Sequence, residues 1–268
     1  MSRPGEPGEA SAVERVAEPT AEEFRRRWIE PRRPVIITGA MESWPARRAW
    51  SPDYLRARYG ERRVPVARVA GGDLARDART GIPYDDDVTL GEFLDRALGP
   101  GPADGYAMFL LHQALPELDA DLASPAFAPP APWSIRKLWL SAADVRSPLH
   151  QDLPENLFAQ VYGRKRVTLF PPSEELRMYR HAPWSRLPQV SRADAEAPDD
   201  ARFPRLRHAR RFTAVVEPGE LLYIPALWWH QLRSLSFSIS VNTWWATGWS
   251  YGLVRAALAY QRLRALRY

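Results

Sequence analysis

Hydrophobic positions are spaced differently in the two halves of the chain. In the first half, short periodic stretches alternate with polar turns. Thr20 with Glu23 forms a capping box that opens a helix running through Trp28. Ser51-Pro52 supplies an N-cap and a proline at the first helical position for a helix closed by Gly60, and Thr89 with Glu92 caps another that ends near Leu98. Pro34-Val-Ile-Ile-Thr-Gly39 reads as a buried strand, 63–69 alternates like a strand, and 106–111 is a further apolar strand. The spacing predicts a polar loop over 71–87 and an irregular proline-rich connection over 124–134. Residues 1–19, rich in Glu, Pro, Gly and Ala and without periodicity, predict a disordered tail.

From Lys137 onward the texture becomes dense β. Short apolar or alternating runs at 137–142, 149–152, 157–162, 165–170, 212–216, 221–224, 228–232 and 237–245 are separated by turn signals such as Tyr162-Gly163-Arg164 and Glu217-Pro218-Gly219. Many short strands at this spacing indicate a sandwich or barrel, with 157–170 read as a hairpin. Residues 171–211 form a long polar insertion, and connections of that length are functional or mobile. At 250–268, Leu253, Val254, Ala257, Leu258 and Leu263 fall at helical spacing among arginines. They predict an amphipathic helix that packs on the barrel or on a second copy of the chain. No internal repeat is visible. The chain therefore reads as one domain over 20–249, with a helical N-terminal flank.

Composition narrows the function. The chain has 268 residues, 45% hydrophobic, enough for a sizeable core. No run approaches the roughly 20 apolar residues of a membrane span, and the N-terminus has no apolar signal-peptide centre. Both features predict a cytoplasmic protein without membrane partners. The absence of cysteine excludes disulfides, thiolate metal sites and cysteine nucleophiles, leaving His, Asp and Glu to hold any metal. The excess of 37 Lys+Arg over 32 Asp+Glu, with a pI near 9.7, admits nucleic acid as a partner. Both signs are mixed along the chain, however, and no basic block stands alone.

The candidate chemistry lies among five histidines. His150-Gln-Asp152 falls in a strand, where residues two apart share a face, so an imidazole and a carboxylate project together. His230 follows 80 residues later in LYIPALWWHQL, on a strand that an antiparallel barrel would bring opposite the first pair. Two histidines and one carboxylate on one face of a metal, with open positions opposite, form the facial triad of non-haem Fe(II) oxygenases. Lys165 is one of only two lysines, the other being Lys137, and a cation inside a barrel needs a fixed anion to meet it. His181 and His208, among arginines of the insertion, read as surface residues.

SPLHQDLPENLFAQVYGRKRVTLFPP (147–172) and VEPGELLYIPALWWHQLRSLSFSISVNTWW (216–245) resemble the cupin-like JmjC family of Fe(II)- and 2-oxoglutarate-dependent oxygenases, most nearly its asparaginyl-hydroxylase branch. The resemblance runs from about Arg32 to Trp245 and implies a double-stranded β-helix, a jelly-roll of cupin type. It implies His150, Asp152 and His230 as iron ligands and Lys165 as the partner of the far carboxylate of 2-oxoglutarate. Ser147 falls at a hydroxyl position on the same carboxylate, Asn156 and Asn242 at amides near co-substrate and metal, and Trp244 at an aromatic lining the pocket. One departure is visible: a tyrosine of the co-substrate pocket aligns with Leu110, which leaves Tyr106 or Tyr162 to stand in. His112 and Gln113 fall on the substrate side, and Trp139, Trp228 and Trp229 are further candidates for a dry wall. The implied reaction consumes O2 and 2-oxoglutarate, releases succinate and CO2, and hydroxylates a side chain of a protein or peptide. A tRNA base, a small molecule, or a non-catalytic scaffold are the alternatives.

Overall fold

The computed structural model describes residue 8 and residues 10–76, 81–100 and 105–265, without the side chains of 86, 87, 110 and 260–265. In chain order the strands are β1 (Ala10–Ala12), β2 (Glu14–Ala17), β3 (Val35–Thr38), β4 (Arg63–Ala67), β5 (Val69–Ala70), β6 (Asp73–Leu74), β7 (Tyr84–Thr89) and β8 (Tyr106–Leu110). They continue with β9 (Trp133–Ser141), β10 (His150–Gln151), β11 (Glu155–Tyr162), β12 (Lys165–Phe170), β13 (Arg211–Val216), β14 (Leu221–Ile224), β15 (Trp229–Ser234) and β16 (Ser238–Ala246). The helices are α1 (Ala21–Phe24), α2 (Pro45–Ala49), α3 (Pro52–Tyr59), α4 (Leu90–Leu98), α5 (Leu111–Ala114) and α6 (Gly248–Ala265).

The cap signals form as the side chains dictate. Thr20 Oγ1 accepts from the Glu23 amide, and Ser51 Oγ from that of Tyr54. Thr89 and Glu92 complete a reciprocal box at the start of α4. A π-helical turn, Arg25–Ile29, extends α1 and buries Trp28 beside Phe24.

Two sheets face each other. One runs β1-β13-β12-β15-β10 and the other β2-β3-β14-β11-β16-β9-β8-β4-β7. From β9 to β12 and from β13 to β16 the chain changes sheet at every connection, which is the jelly-roll pattern expected for the cupin fold. The 157–170 hairpin is corrected by this topology. β11 pairs with β14 and β16, and β12 with β13 and β15, so the turn at Gly163 hands the chain across the sandwich. Gly163 sits at φ 69°, and a Cβ there would meet the Phe237 carbonyl oxygen at 2.0 Å. Only glycine makes that corner without moving backbone.

Phe158, Val167, Leu169, Leu222, Ile224 and Trp228 fill the space between the sheets. The outer face of the larger sheet packs Leu138, Leu157 and Val241 against Phe24, Trp28, Phe93 and Leu118 of the N-terminal half. The insertion is anchored on the outer face of the smaller sheet by Met178, Phe203 and Leu206 against Phe170 and Trp229.

Two expectations are corrected here. Of the tail assigned to 1–19, residues 10–12 and 14–17 are strands: β1 pairs in parallel with β13 and β2 with β3, and Val13 is buried between them. These are edge strands, whose ladder is supplied by partners some 200 and 20 residues away rather than by local pattern. Residues 1–7 and 9 of the same assignment lie outside the described residues. The polar loop at 71–87 contains β6 and the start of β7, which holds its acidic run YDDDVT in strand by pairing with β4. At the C-terminus Val254 of α6 is buried, while Leu253 and Leu258 are exposed. Residues 266–268 lie outside the described ones. Among the described residues, no helix is long and apolar enough to cross a membrane.

Candidate functional site

His150 and His230 stand directly opposite each other where β10, at the edge of the smaller sheet, pairs with β15. Their rings lie 4.2 Å apart, centroid to centroid. Asp152 follows β10, and its Oδ2 is 3.6 Å from His230 Nε2. One ligand atom from each residue lies within 4.8 Å of those of the other two. Both imidazoles are oriented by backbone: Nδ1 of His150 hydrogen-bonds the Pro148 carbonyl at 2.8 Å, and Nδ1 of His230 that of Trp228 at 3.0 Å. With the proton held on Nδ1, each ring presents its Nε2 lone pair, the form that binds a metal. Burial first, and the neighbouring His150 second, push His230 down to about 4, so it is neutral at physiological pH. Trp244 donates its indole N–H to Asp152 Oδ2 at 3.0 Å and fixes the carboxylate. Gln151 points to the opposite face beside Trp229.

Deeper between the sheets lies Lys165, 2% exposed. Pairing of Leu169 with His230 and of Lys165 with Ser234 places the lysine on the same face of its sheet as His230, four residues along β12. Its ammonium crosses to the other sheet and donates to Ser240 Oγ at 3.2 Å, with the rings of Phe158 and Tyr106 each just under 6 Å away. Burial pushes it down to about 7. Asn242 donates to Asn156 at 2.9 Å, and the Asn156 amide nitrogen is buried with no partner among the described residues. A buried cation with a single hydroxyl partner and an unused amide donor are what an anionic, oxygen-rich ligand would satisfy. The donor set thus fits both a divalent metal of the Fe(II) type and a dicarboxylate.

The remaining assignments divide. Ser147 is buried, but its hydroxyl accepts the Leu232 amide and donates to the Pro148 carbonyl, so it serves the strand. Of the two tyrosines, Tyr106 stands beside Lys165, whereas Tyr162 is 39% exposed beyond the sheet corner. The side chain of Leu110 lies outside the described ones. Trp139 packs edge-to-face on Trp244 at 6.1 Å and so belongs to the site. Trp228 fills the inter-sheet core, and Trp229 lies under the insertion with its N–H on Glu175. His112 is exposed, and Gln113 lines a separate cleft.

A cleft of about 680 Å³ leads from Asp152 past Trp244, Trp133 and Ile135 to a rim formed by Arg180, Arg186 and the α6 residues Val254 and Leu258. One residue of its wall escaped the sequence reading. Lys137 lines this cleft and also the second one, of about 400 Å³, with its ammonium 5.2 Å from the centre of the Trp244 ring. Its rarity was the available signal, since both lysines of the chain prove to face the site.

Residues 20–250 match the family model described as cupin-like domain. The chain is 32% identical over 242 residues to lysine-specific demethylase 8 of Xenopus tropicalis, covering 88% of this chain and 53% of that protein. It is 32% identical to the human bifunctional peptidase and (3S)-lysyl hydroxylase JMJD7, covering 85% of this chain and 81% of the relative. It is 28% identical to human tRNA wybutosine-synthesizing protein 5, covering 89% and 79%. The chain spans little more than half the length of the demethylase-type relatives it matches. The X-ray structure of E. coli ycfD superposes with a TM-score of 0.52 at 17% identity, over 91% of this chain and 57% of that one, a likeness of fold. Matched over most of its length by model and relatives alike, the chain belongs to the cupin-like JmjC family, whose enzymes are Fe(II)- and 2-oxoglutarate-dependent oxygenases.

Proposed function

We propose that this chain is an Fe(II)- and 2-oxoglutarate-dependent oxygenase that hydroxylates a side chain of a protein or peptide. The observation that carries the reading is the meeting of three metal-ligand atoms at the mouth of the sandwich with a buried, nearly partnerless lysine farther along the same face. His150, Asp152 and His230 would hold the iron, and Lys165 would receive the far carboxylate of 2-oxoglutarate. When bound, the metal and co-substrate supply O2 activation, with release of succinate and CO2. The protein's own contribution is positional. The Pro148 and Trp228 carbonyls hold the imidazole tautomers and the Trp244 indole orients Asp152. The Asn156–Asn242 pair offers an amide donor beside the ligands. Ser147 would have to swing its proton from the Pro148 carbonyl to join the carboxylate, while Tyr106 and Ser240 already flank the lysine.

A polypeptide substrate is favoured because the cleft, of about 680 Å³, is lined both by residues of 185–189 and by residues of α6, and because two of the relatives are named for lysyl chemistry. The test is succinate formation from 2-oxoglutarate with Fe(II) and O2, by wild type and by Asp152→Ala. Slow turnover by wild type that is lost in the variant supports the oxygenase. Absence of both turnover and metal-dependent 2-oxoglutarate binding in wild type refutes it in favour of a scaffold. Tight, steeply salt-dependent tRNA binding would replace the peptide reading with the nucleic-acid one.

A further inference from the structure

Lys137 is a charged group of the site to which neither the metal nor the co-substrate reading gives a role. It sits in the middle of β9, paired with Asn242 on one side and Leu110 on the other, so it projects from the site face of the larger sheet. It is the residue where the two clefts meet. The Trp244 indole offers its face to the ammonium and its N–H to Asp152, so one aromatic ring separates the lysine from the metal-ligand carboxylate. Among the described residues no carboxylate lies within ion-pair distance of it, and Asp152 acts on it only at longer range. Burial pushes its pKa down, against that pull. A cation set in a substrate cleft, partly stripped of water and braced only by an aromatic face, is an anion receptor awaiting its anion. Arg180 and Arg186 also line the cleft, Arg180 already paired with Glu175 at 3.2 Å.

We infer that Lys137 is a specificity-determining residue whose ammonium receives a carboxylate of the substrate, next to the carbon presented to His150, Asp152 and His230. The inference rests on the oxygenase reading and deepens it: the substrate is acidic, with an Asp or Glu side chain at or beside the modified position. Lys165, buried one strand system away on Ser240, serves the co-substrate, so the two lysines divide the two anions between them.

The test uses the full chain loaded with Mn(II) and N-oxalylglycine, a non-reacting analogue of the co-substrate. It is applied to an array of one peptide scaffold carrying Asp, Asn, Glu, Gln, Ala or Lys at each position in turn. Wild type is expected to retain Asp and Glu peptides about 10- to 100-fold better than their amide counterparts, the value of one charge-assisted hydrogen bond. Lys137→Met, an apolar chain of similar length, should erase that preference, and Lys137→Glu should turn it toward Lys peptides. Calorimetric affinity for 2-oxoglutarate should stay within about twofold in both variants, which also shows that they are folded. Free aspartate or glutamate competing as well as the peptides would support carboxylate recognition and assign it to a small molecule. The inference is overturned if wild type shows no acidic preference, or if the profile survives Lys137→Glu. It is also overturned if Lys137→Met loses 2-oxoglutarate affinity with the profile intact, or if single-stranded RNA displaces the peptides and binds both variants alike. Failure of wild type to bind 2-oxoglutarate at all would instead refute the oxygenase reading beneath it.

Discussion

Lys165 makes the sharpest quantitative prediction. Unfolded, it keeps the ordinary lysine value of 10.5; folded and 2% exposed, it is pushed to about 7 by burial. That fall corresponds to on the order of 5 kcal/mol held against the empty protein when the lysine is charged. Between pH 7 and 10.5 the unfolded chain binds more protons than the folded one. This group therefore makes stability rise with pH across that window, and its full penalty stands below pH 7. A carboxylate arriving at the ammonium reverses the balance and restores the charge. At pH 8 only about one molecule in ten carries the proton beforehand, so binding of 2-oxoglutarate should take up close to one proton. Its affinity should fall about tenfold per pH unit above 7. Calorimetry at pH 8 in buffers of different ionisation enthalpy reads the uptake directly. Lys165→Met should lose the uptake and about 10- to 100-fold in affinity, yet melt no lower than wild type near pH 7, because an uncompensated buried charge has been replaced by an apolar chain of similar length. Zero uptake with a flat affinity between pH 7 and 8.5 would show that the lysine is charged before the ligand arrives and would refute the desolvation argument.

Other consequences are as direct. Trp244→Phe removes the 3.0 Å bond to Asp152 while keeping an aromatic wall, and should weaken metal binding about 10- to 100-fold, measured by Mn(II) titration, with little change in melting. Deleting residues 1–17 strips β1 and β2 from two sheet edges and uncovers the Val13 site, so the denaturation midpoint should drop clearly; an unchanged midpoint would restore the disordered-tail reading. Gly163→Ala forces a Cβ into the Phe237 carbonyl at a positive-φ corner and should cost about 1–3 kcal/mol in denaturant unfolding. Trp28→Ala, at 1% exposure, should cost about 3–5 kcal/mol and leave 2-oxoglutarate binding to the surviving folded fraction unchanged.

What the sequence determined by itself is what local rules encode. Period-two alternation puts His150 and Asp152 on one face with Gln151 on the other, whatever the fold around them. Hydroxyl side chains at Thr20, Ser51 and Thr89, the last with the Glu92 carboxylate in return, start helices through contacts three residues away. Strands 165–170 and 221–224 were legible from apolar runs between turns, and the two long motifs fixed the family. What tertiary structure decided are pairings between distant segments. The register of β10 on β15 sets His230 against His150, and no spacing in the chain specifies it. The strands at 10–17 and the acidic run at 84–89 carry no apolar signature and are held in strand by the edges they complete. The Gly163 turn looks like a hairpin locally; its flanking strands part because each finds better partners in an opposite sheet. Lys137 carries no role in the sequence beyond being the second of two lysines; pairing with Asn242 turns it to the site, because a side chain's surroundings depend on which strands flank its own, and strand order is a property of the whole chain.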